Sequence, residues 1–417
     1  MQIHEIRFGS SQGLQLLAAT SANGPAIEAA LKRLDRAFVV ASPWAPGLCF
    51  VGGQASHRLS ATSAAAVFSL AGSGENLDSA LAACAGESVE RLSQIERSRD
   101  ISKTGSADEM SEFTLSSIIG RVRQLLQQAP DVSTHNLHWV SAVTLGGQTI
   151  LVPADWCLRR AEPGVLTIPG AALSTGCAAG QTFTQAAARA LLELVERDAA
   201  CLWWIGGQRA KLVASDTRIM QEATRLLSAL RQGYEERSTW LLDITTDLDI
   251  PVMAALSVNR DGRGLACGFA ARLCPQRAAV AAIFEMCQIE LGAQFIALKQ
   301  AQRGNAGLND VDRRHIRRAA EIDARDCQLL YPNGIGQTNA ISISEADDLP
   351  AIRAIFDNKN IEAALVDLTR PEYALPVVAA IAPDLQLLPG NIETPRLRQV
   401  LAATGGGHQW TVGAPLI

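Results

Sequence analysis

The chain predicts an α+β fold in which mixed sheets pack against helices. Three observations carry this. Candidate strands and helices are interspersed, yet no run of βαβ units is regular enough for a doubly wound parallel sheet. At 417 residues the chain exceeds one compact core of ordinary size, so two or three interlocked subdomains are expected. Hydrophobic residues reach 48% against 19% charged, ample for a folded core.

Composition also excludes some functions. The formal net charge is -5 with no block of like charge, so no basic face points to nucleic acid. Nine cysteines are scattered singly with no C-x-x-C pair, which argues against a zinc site or a disulfide framework. Reduced thiols in a bacterial-type cytoplasm fit this pattern. The first residues, MQIHEIRFGSS, lack a basic stretch followed by an apolar core, so no signal peptide is expected. No apolar run reaches the roughly 18 residues that span a membrane. There is no G-x-G-x-x-G, P-loop, H-E-x-x-H or nucleophile elbow.

Residues 1 to 60 read as short strands and turns with one helix. Ala26 to Ala37 is helical in composition, and Phe38 to Ser42 and Gly47 to Gly52 are short strands bounded by Pro and Gly. Ala64 to Leu70 is a buried strand running into a tight turn at Gly72-Ser73-Gly74, too short to be a phosphate loop alone. A helix follows from Asn76 to Arg99, then a polar surface loop from Ser98 to Ser111. Leu115 to Gln128 is an amphipathic helix. Leu137 to Ala142 and Thr149 to Pro153 flank Gly146-Gly147, a hairpin signal. His135 and His138 have no Cys or carboxylate pair nearby and read as ordinary surface or core histidines. Asp155 to Ala161 and Gly164 to Gly170 lead into a central stretch, Ser174 to Gly207.

That stretch opens with small residues and then runs from Gln181 to Ile205 without Gly or Pro, rich in helix formers. Residues three apart share a helix face, so Glu193 and Glu196 point the same way, while Leu191, Leu194, Val195 and Ala199 can pack inward. Paired carboxylates against an apolar face are costly unless neutralised. Magnesium, a hard cation that takes oxygen ligands, can do this. The same shape, Glu-x-Val-Glu-Arg, occurs at Glu87, Glu90 and Arg91. Internal duplication, two helices meeting at one centre, or chance recurrence each explain the pair. Trp203 and Trp204 read as core aromatics.

Further on, Asp216 to Gln232 is an amphipathic helix, and Ser238 to Asp243 and Pro251 to Val258 are strands. A long helix, Pro275 to Gln302, carries Glu285, Gln288 and Glu290, the first two on one face. Arg313 to Arg325 and Ile352 to Asn358 are helical, and Ile361 to Asp367 and Val377 to Ala382 are strands. The chain closes in a Gly-rich tail, GGGHQWTVGAPLI.

The central stretch resembles the YcaO family, whose pattern S-x-G-x-A-A-G-N-T leads into A-L-x-E-x-x-E-R-D-A. Here it reads Ser174, Gly176, Ala178, Ala179, Gly180, Gln181, Thr182, then Ala190, Leu191, Glu193, Glu196, Arg197, Asp198 and Ala199. Ala80 to Arg91 looks like the family's earlier E-x-x-E-R helix, and Ala282 to Gln288 like its third. The resemblance implies a YcaO-like architecture with an ATP site between helices of intertwined subdomains. It divides the chain into an N-terminal strand and helix segment (1–60), an ATP-binding core (61–300) and a C-terminal α/β segment with tail (301–417). It implies an ATP-dependent enzyme acting on a peptide backbone. In this family a nucleophile adds to a backbone carbonyl, ATP phosphorylates the amide oxygen, and phosphate leaves. A neighbouring Cys, Ser or Thr gives a thiazoline or oxazoline, and external sulfide a thioamide. Antibiotic-type ribosomal peptides are the usual products.

Carried over, Glu87, Glu90, Glu193 and Glu196 are the magnesium candidates. Arg91 and Arg197 are candidates for phosphate contact or for orienting those carboxylates, and Ser73, Gln181, Glu285 and Gln288 for positions near the nucleotide. No catalytic residue is assigned. Implied partners are a precursor peptide with a leader and a Cys/Ser/Thr-rich core, a separate leader-binding docking protein, and an FMN dehydrogenase. The expected assembly is a homodimer or hetero-complex in the cytoplasm. Three departures stand out. Gln181 and Gln185 replace the family's Asn and Glu, Gly72-Ser73-Gly74 replaces a G-K-G turn, and the tail carries one proline, Pro415, where the azoline branch has P-x-P-x-P. Heterocycle formation leads the readings, with thioamide formation and a non-catalytic scaffold as alternatives.

Overall fold

The computed structural model describes residues 3–6, 24–58, 65–128, 137–160, 173, 175–334, 343–344, 346–387 and 393–416. Ser174, His135 and the segment expected at 164–170 lie outside the described residues. In chain order the first elements are β1 (Ile3–Ile6), α1 (Gly24–Leu31), β2 (Arg36–Val40), β3 (Cys49–Arg58), β4 (Ala65–Gly74) and α2 (Leu77–Ser93). Next come β5 (Lys103–Gly105), α3 (Ser116–Gln127), β6 (Leu137–Thr144), β7 (Thr149–Pro153), β8 (Cys177–Ala179) and α4 (Phe183–Trp204). They continue with β9 (Lys211–Leu212), α5 (Arg218–Arg231), β10 (Arg237–Asp243), β11 (Val252–Asn259), β12 (Ala266–Ala271) and α6 (Pro275–Arg303). The last are α7 (Asp310–Glu321), α8 (Leu349–Asn358), β13 (Ala364–Asp367), β14 (Val377–Ile381), α9 (Pro395–Thr404) and α10 (His408–Thr411).

Among the described residues the strands form three antiparallel sheets. One runs β1-β2-β3-β4 and carries α2. A second runs β9-β10-β11-β12 and carries α5 and α6. The third runs β5-β6-β13-β14-β8, with β7 paired to β6. The three segments suggested by the sequence are therefore interleaved. β3 and β4 pair across residue 60, and β13 and β14 from the C-terminal segment sit between β6 and β8.

Helix α4 packs on β8 and β14 and reaches β11 and β12 of the second sheet. Side chains on every side of it are buried, from Ala186, Ala187 and Ala188 to Trp203 and Trp204, as expected of a helix enclosed by neighbours. The two tryptophans are core aromatics whose indole N–H groups donate to the carbonyls of Leu329 at 3.0 Å and Ala414 at 2.7 Å. Asp198 beside them is fully buried and accepts from Arg396 and from the Gln386 N–H, which ties the C-terminal segment to α4. All nine cysteines are free thiols. By length and composition α6 alone among the described helices is long and apolar enough to cross a membrane, which the sequence reading did not anticipate. In the fold it packs on β11, β12 and α5 with Ala282, Ile283, Met286 and Leu291 buried.

Several expectations are corrected. Gly72-Ser73-Gly74 is extended β4, and no turn forms there. The glycines serve close packing instead: a Cβ on Gly72 would lie 2.1 Å from the Ala80 carbonyl oxygen of α2. The first helix ends at Leu31, because residues 36–40 pair with β1 and β3. The polar stretch after α2 includes β5, which pairs with β6. β8 and β12 are small-residue strands with little β-propensity of their own, and α9 precedes the Gly-rich tail.

One local arrangement occurs twice in the fold. The repeated unit is a hairpin followed by a helix: β3-β4-α2 and β11-β12-α6. In each unit a helix glutamate accepts a backbone N–H from the edge strand 16 residues before it, Glu87 from Ala71 and Glu285 from Phe269. Asn76 and Cys274 occupy equivalent N-cap positions. Helix α4 lies between the two units in the chain and follows the short strand β8. The close strand–helix approach gives a stability prediction. Gly268→Ala would place a Cβ 2.2 Å from both the Ala282 oxygen and the Met286 nitrogen. It is expected to destabilise the fold by about 1–3 kcal/mol. Gly292→Ala, with open space on the same helix, is expected to stabilise by about 0.5–1 kcal/mol. Thermal melts of the two variants check this, and equal shifts would refute the close-packing account.

Candidate active site

The site forms where α2, α4 and α6 converge. On α2, Asn76 closes the N-terminus in a capping box with Ser79. Further along the helix, Glu87 and Glu90 leave one face in different directions. Glu87 Oε2 accepts the Ala71 N–H at 2.7 Å while its Oε1 lies 3.1 Å from Arg91 Nη2. Glu90 Oε1 accepts the Ala179 N–H of β8 at 2.7 Å.

On α4, Thr182 is the N-cap, its hydroxyl oxygen accepting the Gln185 N–H at 3.1 Å. The Gln185 amide oxygen accepts the Gln181 N–H at 2.7 Å, so this residue closes the helix start and needs no charge to do so. Gln181 itself is exposed. Glu193 Oε2 accepts the Gly176 N–H at 3.1 Å. Gly176 has φ +74° and faces the Ala380 oxygen, and both demand glycine. Arg197 Nη2 lies 3.6 Å from Glu193 and 3.5 Å from Glu196.

On α6, Glu285 Oε2 accepts the Phe269 N–H at 2.6 Å, and Gln288 Oε1 accepts the Ser73 hydroxyl at 3.1 Å. That last contact joins the first sheet to the helix that packs on the second.

The electrostatics show these groups sharing one field. Burial pushes the Glu90 carboxyl up to about 8, against the Ala179 N–H, with Glu193 and Glu87 adding repulsion. Burial likewise lifts Glu196 to about 8 despite Arg197, with Glu285 and Glu193 raising it further. Glu193 and Glu285 are raised, chiefly by burial. Burial opposes the Arg197 charge, but Glu196, Glu285 and Glu193 outweigh it and raise its pKa. The Arg197 Nε is buried without a hydrogen-bond partner. The two Glu-x-Val-Glu-Arg helices thus face a common centre, with the third acidic helix beside them. Among the described residues no three acidic, histidine or cysteine groups close up at metal-ligand spacing, and four of these carboxylates hold backbone N–H groups instead. An all-oxygen set of partly buried, mutually repelling carboxylates fits a hard divalent cation, whose charge would lower each raised pKa.

Beside the carboxylates opens a cleft of about 1350 Å³, with Ser73, Glu285 and Gln288 on its wall. The start of α2, the start of α6 and α5 line the rest, including Phe284 and Val280 and the arginines Arg218, Arg225, Arg272 and Arg277. A cleft with an acidic corner, several guanidinium groups and an apolar wall suits a polyphosphate with an aromatic base. The sequence reading missed these arginines. They lie on three separate elements, and no local pattern marks them apart from Arg272 and Arg277 standing around the Pro275 helix start. His138 lies elsewhere, on β6 beside Arg160 and Glu96.

Curated proteins yield no match. A heterocyclase solved in complex with substrate and cofactor superposes with a TM-score of 0.69 at 21% identity over 94% of this chain. The chain spans only 56% of that heterocyclase's length. The YcaO protein from Methanopyrus kandleri bound with AMPPCP and Mg2+ gives a TM-score of 0.59 at 16% identity, covering 92% of this chain and 94% of that one. The E. coli microcin synthetase McbBCD complex gives 0.58 at 18% identity over 83% of this chain and 88% of the matched one. A family model described as YcaO cyclodehydratase, ATP- and Mg2+-binding, matches residues 71–386. Spanning well over half of the sequence, that match places the chain in the YcaO family.

Proposed function

We propose that the chain is the ATP-dependent cyclodehydratase subunit of a peptide-modifying complex, forming thiazoline or oxazoline rings from Cys, Ser or Thr of a ribosomally made precursor. The observation that carries this reading is the convergence of Glu87 and Glu90, Glu193 and Glu196, and Glu285 and Gln288 on one centre beside the arginine-lined cleft.

In this reading Glu87, Glu90, Glu193 and Glu196 hold magnesium, which neutralises phosphate charge when bound. Arg91 and Arg197 orient those carboxylates, and Arg197 has an N–H left for a phosphate oxygen. Ser73, Gln181, Glu285 and Gln288 stand at the nucleotide, with Phe284 against its base. The side-chain sulfur or oxygen of the precursor gives up its proton and bonds to the preceding carbonyl carbon, and the carbonyl π electrons move to oxygen. That oxygen takes the γ-phosphoryl group as its bond to ADP breaks. Phosphate then departs with the C–O electron pair, the amide nitrogen loses its proton, and a C=N bond closes the ring. The net change is ATP to ADP and phosphate, with one water lost from the peptide.

A docking protein that presents the leader and an FMN dehydrogenase complete the proposed assembly, in the cytoplasm. The E. coli microcin synthetase McbBCD complex, also solved with pro-MccB17 bound, supports a hetero-complex. Mass spectrometry of a Cys/Ser-rich precursor incubated with the chain, its docking partner and ATP tests the reading. Loss of one water per modified residue is expected. Exchange of oxygen for sulfur would indicate a thioamide-forming enzyme instead. An unchanged peptide without ATP turnover would indicate a scaffold.

A further inference from the structure

Asp347 lies just before α8, close to the residues that follow β12. The Ile343 N–H donates to the Leu273 oxygen at 2.9 Å, and Asp347 Oδ1 accepts the Leu273 N–H at 3.1 Å. Its other oxygen, Oδ2, lies 3.6 Å from Arg272 Nε and 3.5 Å from Arg277 Nη2. Asp347 is 9% exposed at its side chain, whereas Arg272 and Arg277 are 32% and 48% exposed. The two arginines line the cleft and Asp347 does not. The carboxylate therefore sits behind the guanidinium groups as seen from the cleft.

Like charges crowd this corner. Burial depresses the Arg189 pKa, and Arg272 and Arg277 depress it further while Glu90 and Asp347 act the other way. Arg272 also reaches the acidic centre, where it lowers the pKa values of Glu196 and Glu285. One carboxylate, Asp347, lies among these three guanidinium groups. It offsets part of their repulsion and sets the direction of two of them. An anion entering the cleft then meets arginines already aimed, without the ordering entropy of free side chains.

Resting on the nucleotide reading of the cleft, we infer that Asp347 is a positioning residue: it orients Arg272 and Arg277 to receive the phosphates of ATP. It touches neither nucleotide nor metal, and acts only through the two arginines.

The test is calorimetric titration of the full chain with Mg2+ and the non-hydrolysable analogue AMPPCP. Asp347→Asn keeps an acceptor for the Leu273 N–H but removes the charge. A dissociation constant raised about tenfold is expected, with Asp347→Glu recovering part of the loss. In an Arg272→Gln/Arg277→Gln background the same Asp347→Asn change is expected to have no further effect, because its targets are gone. Thermal melts of each variant separate misfolding from lost orientation. Unchanged or tighter binding by Asp347→Asn overturns the inference, and so does a penalty that persists in the double-arginine background. No binding by the unsubstituted chain would instead overturn the nucleotide reading, and this inference with it.

Discussion

Glu196→Gln is expected to abolish ATP turnover and, at the same time, to make the nucleotide-free chain harder to unfold at alkaline pH. The two effects have one cause. Glu196 is buried among Glu193 and Glu285, and its carboxyl is lifted from an ordinary 4.5 to about 8. In the unfolded chain the group ionises near its ordinary value. Between the two pKa values the folded state therefore holds a proton that the unfolded state has released. Stability must fall as pH rises through that window, and the full penalty is present above about 8. Glutamine keeps the shape and cannot ionise, so this part of the slope disappears. The gain is expected to be on the order of a few kcal/mol above the folded pKa and to vanish well below the ordinary value. Urea unfolding of both proteins across that range, without nucleotide, reads the difference directly. A glutamine variant less stable than the parent at alkaline pH would refute the electrostatic account, and retained turnover would remove Glu196 from the site. Gain of stability with loss of function is what a centre built to await a cation predicts.

The acidic helices were legible because their signals are local. Three-residue spacing places Glu87 with Glu90, Glu193 with Glu196 and Glu285 with Gln288 on single faces, and each helix is written in strong helix formers. That the three helices meet was legible only through the family resemblance, since nothing in Ala71 or Phe269 announces that its N–H will be taken by a glutamate. Strands β8 and β12, with the sequences CAA and ACGFAA, are held by neighbouring strands rather than by propensity. Gly72 and Gly74 looked like turn residues, yet they are glycine because α2 passes too close for a side chain. The arginine wall of the cleft was invisible for the same reason as Asp347: its members come from α5, the residue after β12 and α6, and only the fold brings them together.

Glu290→Ala is expected to destabilise the chain by about 3–5 kcal/mol, more than any other single change considered. Glu290 is fully buried on α6 and accepts both Arg231 Nη1 at 2.6 Å and Arg231 Nη2 at 2.7 Å, with Arg237 Nε at 3.0 Å. Arg231 ends α5 and Arg237 begins β10, where its guanidinium stacks on Trp44 at 4.7 Å. The Ser257 hydroxyl of β11 donates to the same carboxylate. Removing it strands two buried cations, and the loss reflects that penalty more than the attraction itself. Replacing the whole triad with apolar groups, Glu290→Leu with Arg231→Met and Arg237→Met, is therefore expected to recover most of the lost stability. It is not expected to recover nucleotide affinity. Apolar contacts hold α6 against the sheet but specify its axial position less sharply than a bidentate pair, and Gln288 and Glu285 lie two and five residues away on that helix. Chemical denaturation and AMPPCP titration of the single and triple variants separate the two roles. A triple variant that regains both stability and full affinity would show that the triad does not position the acidic centre.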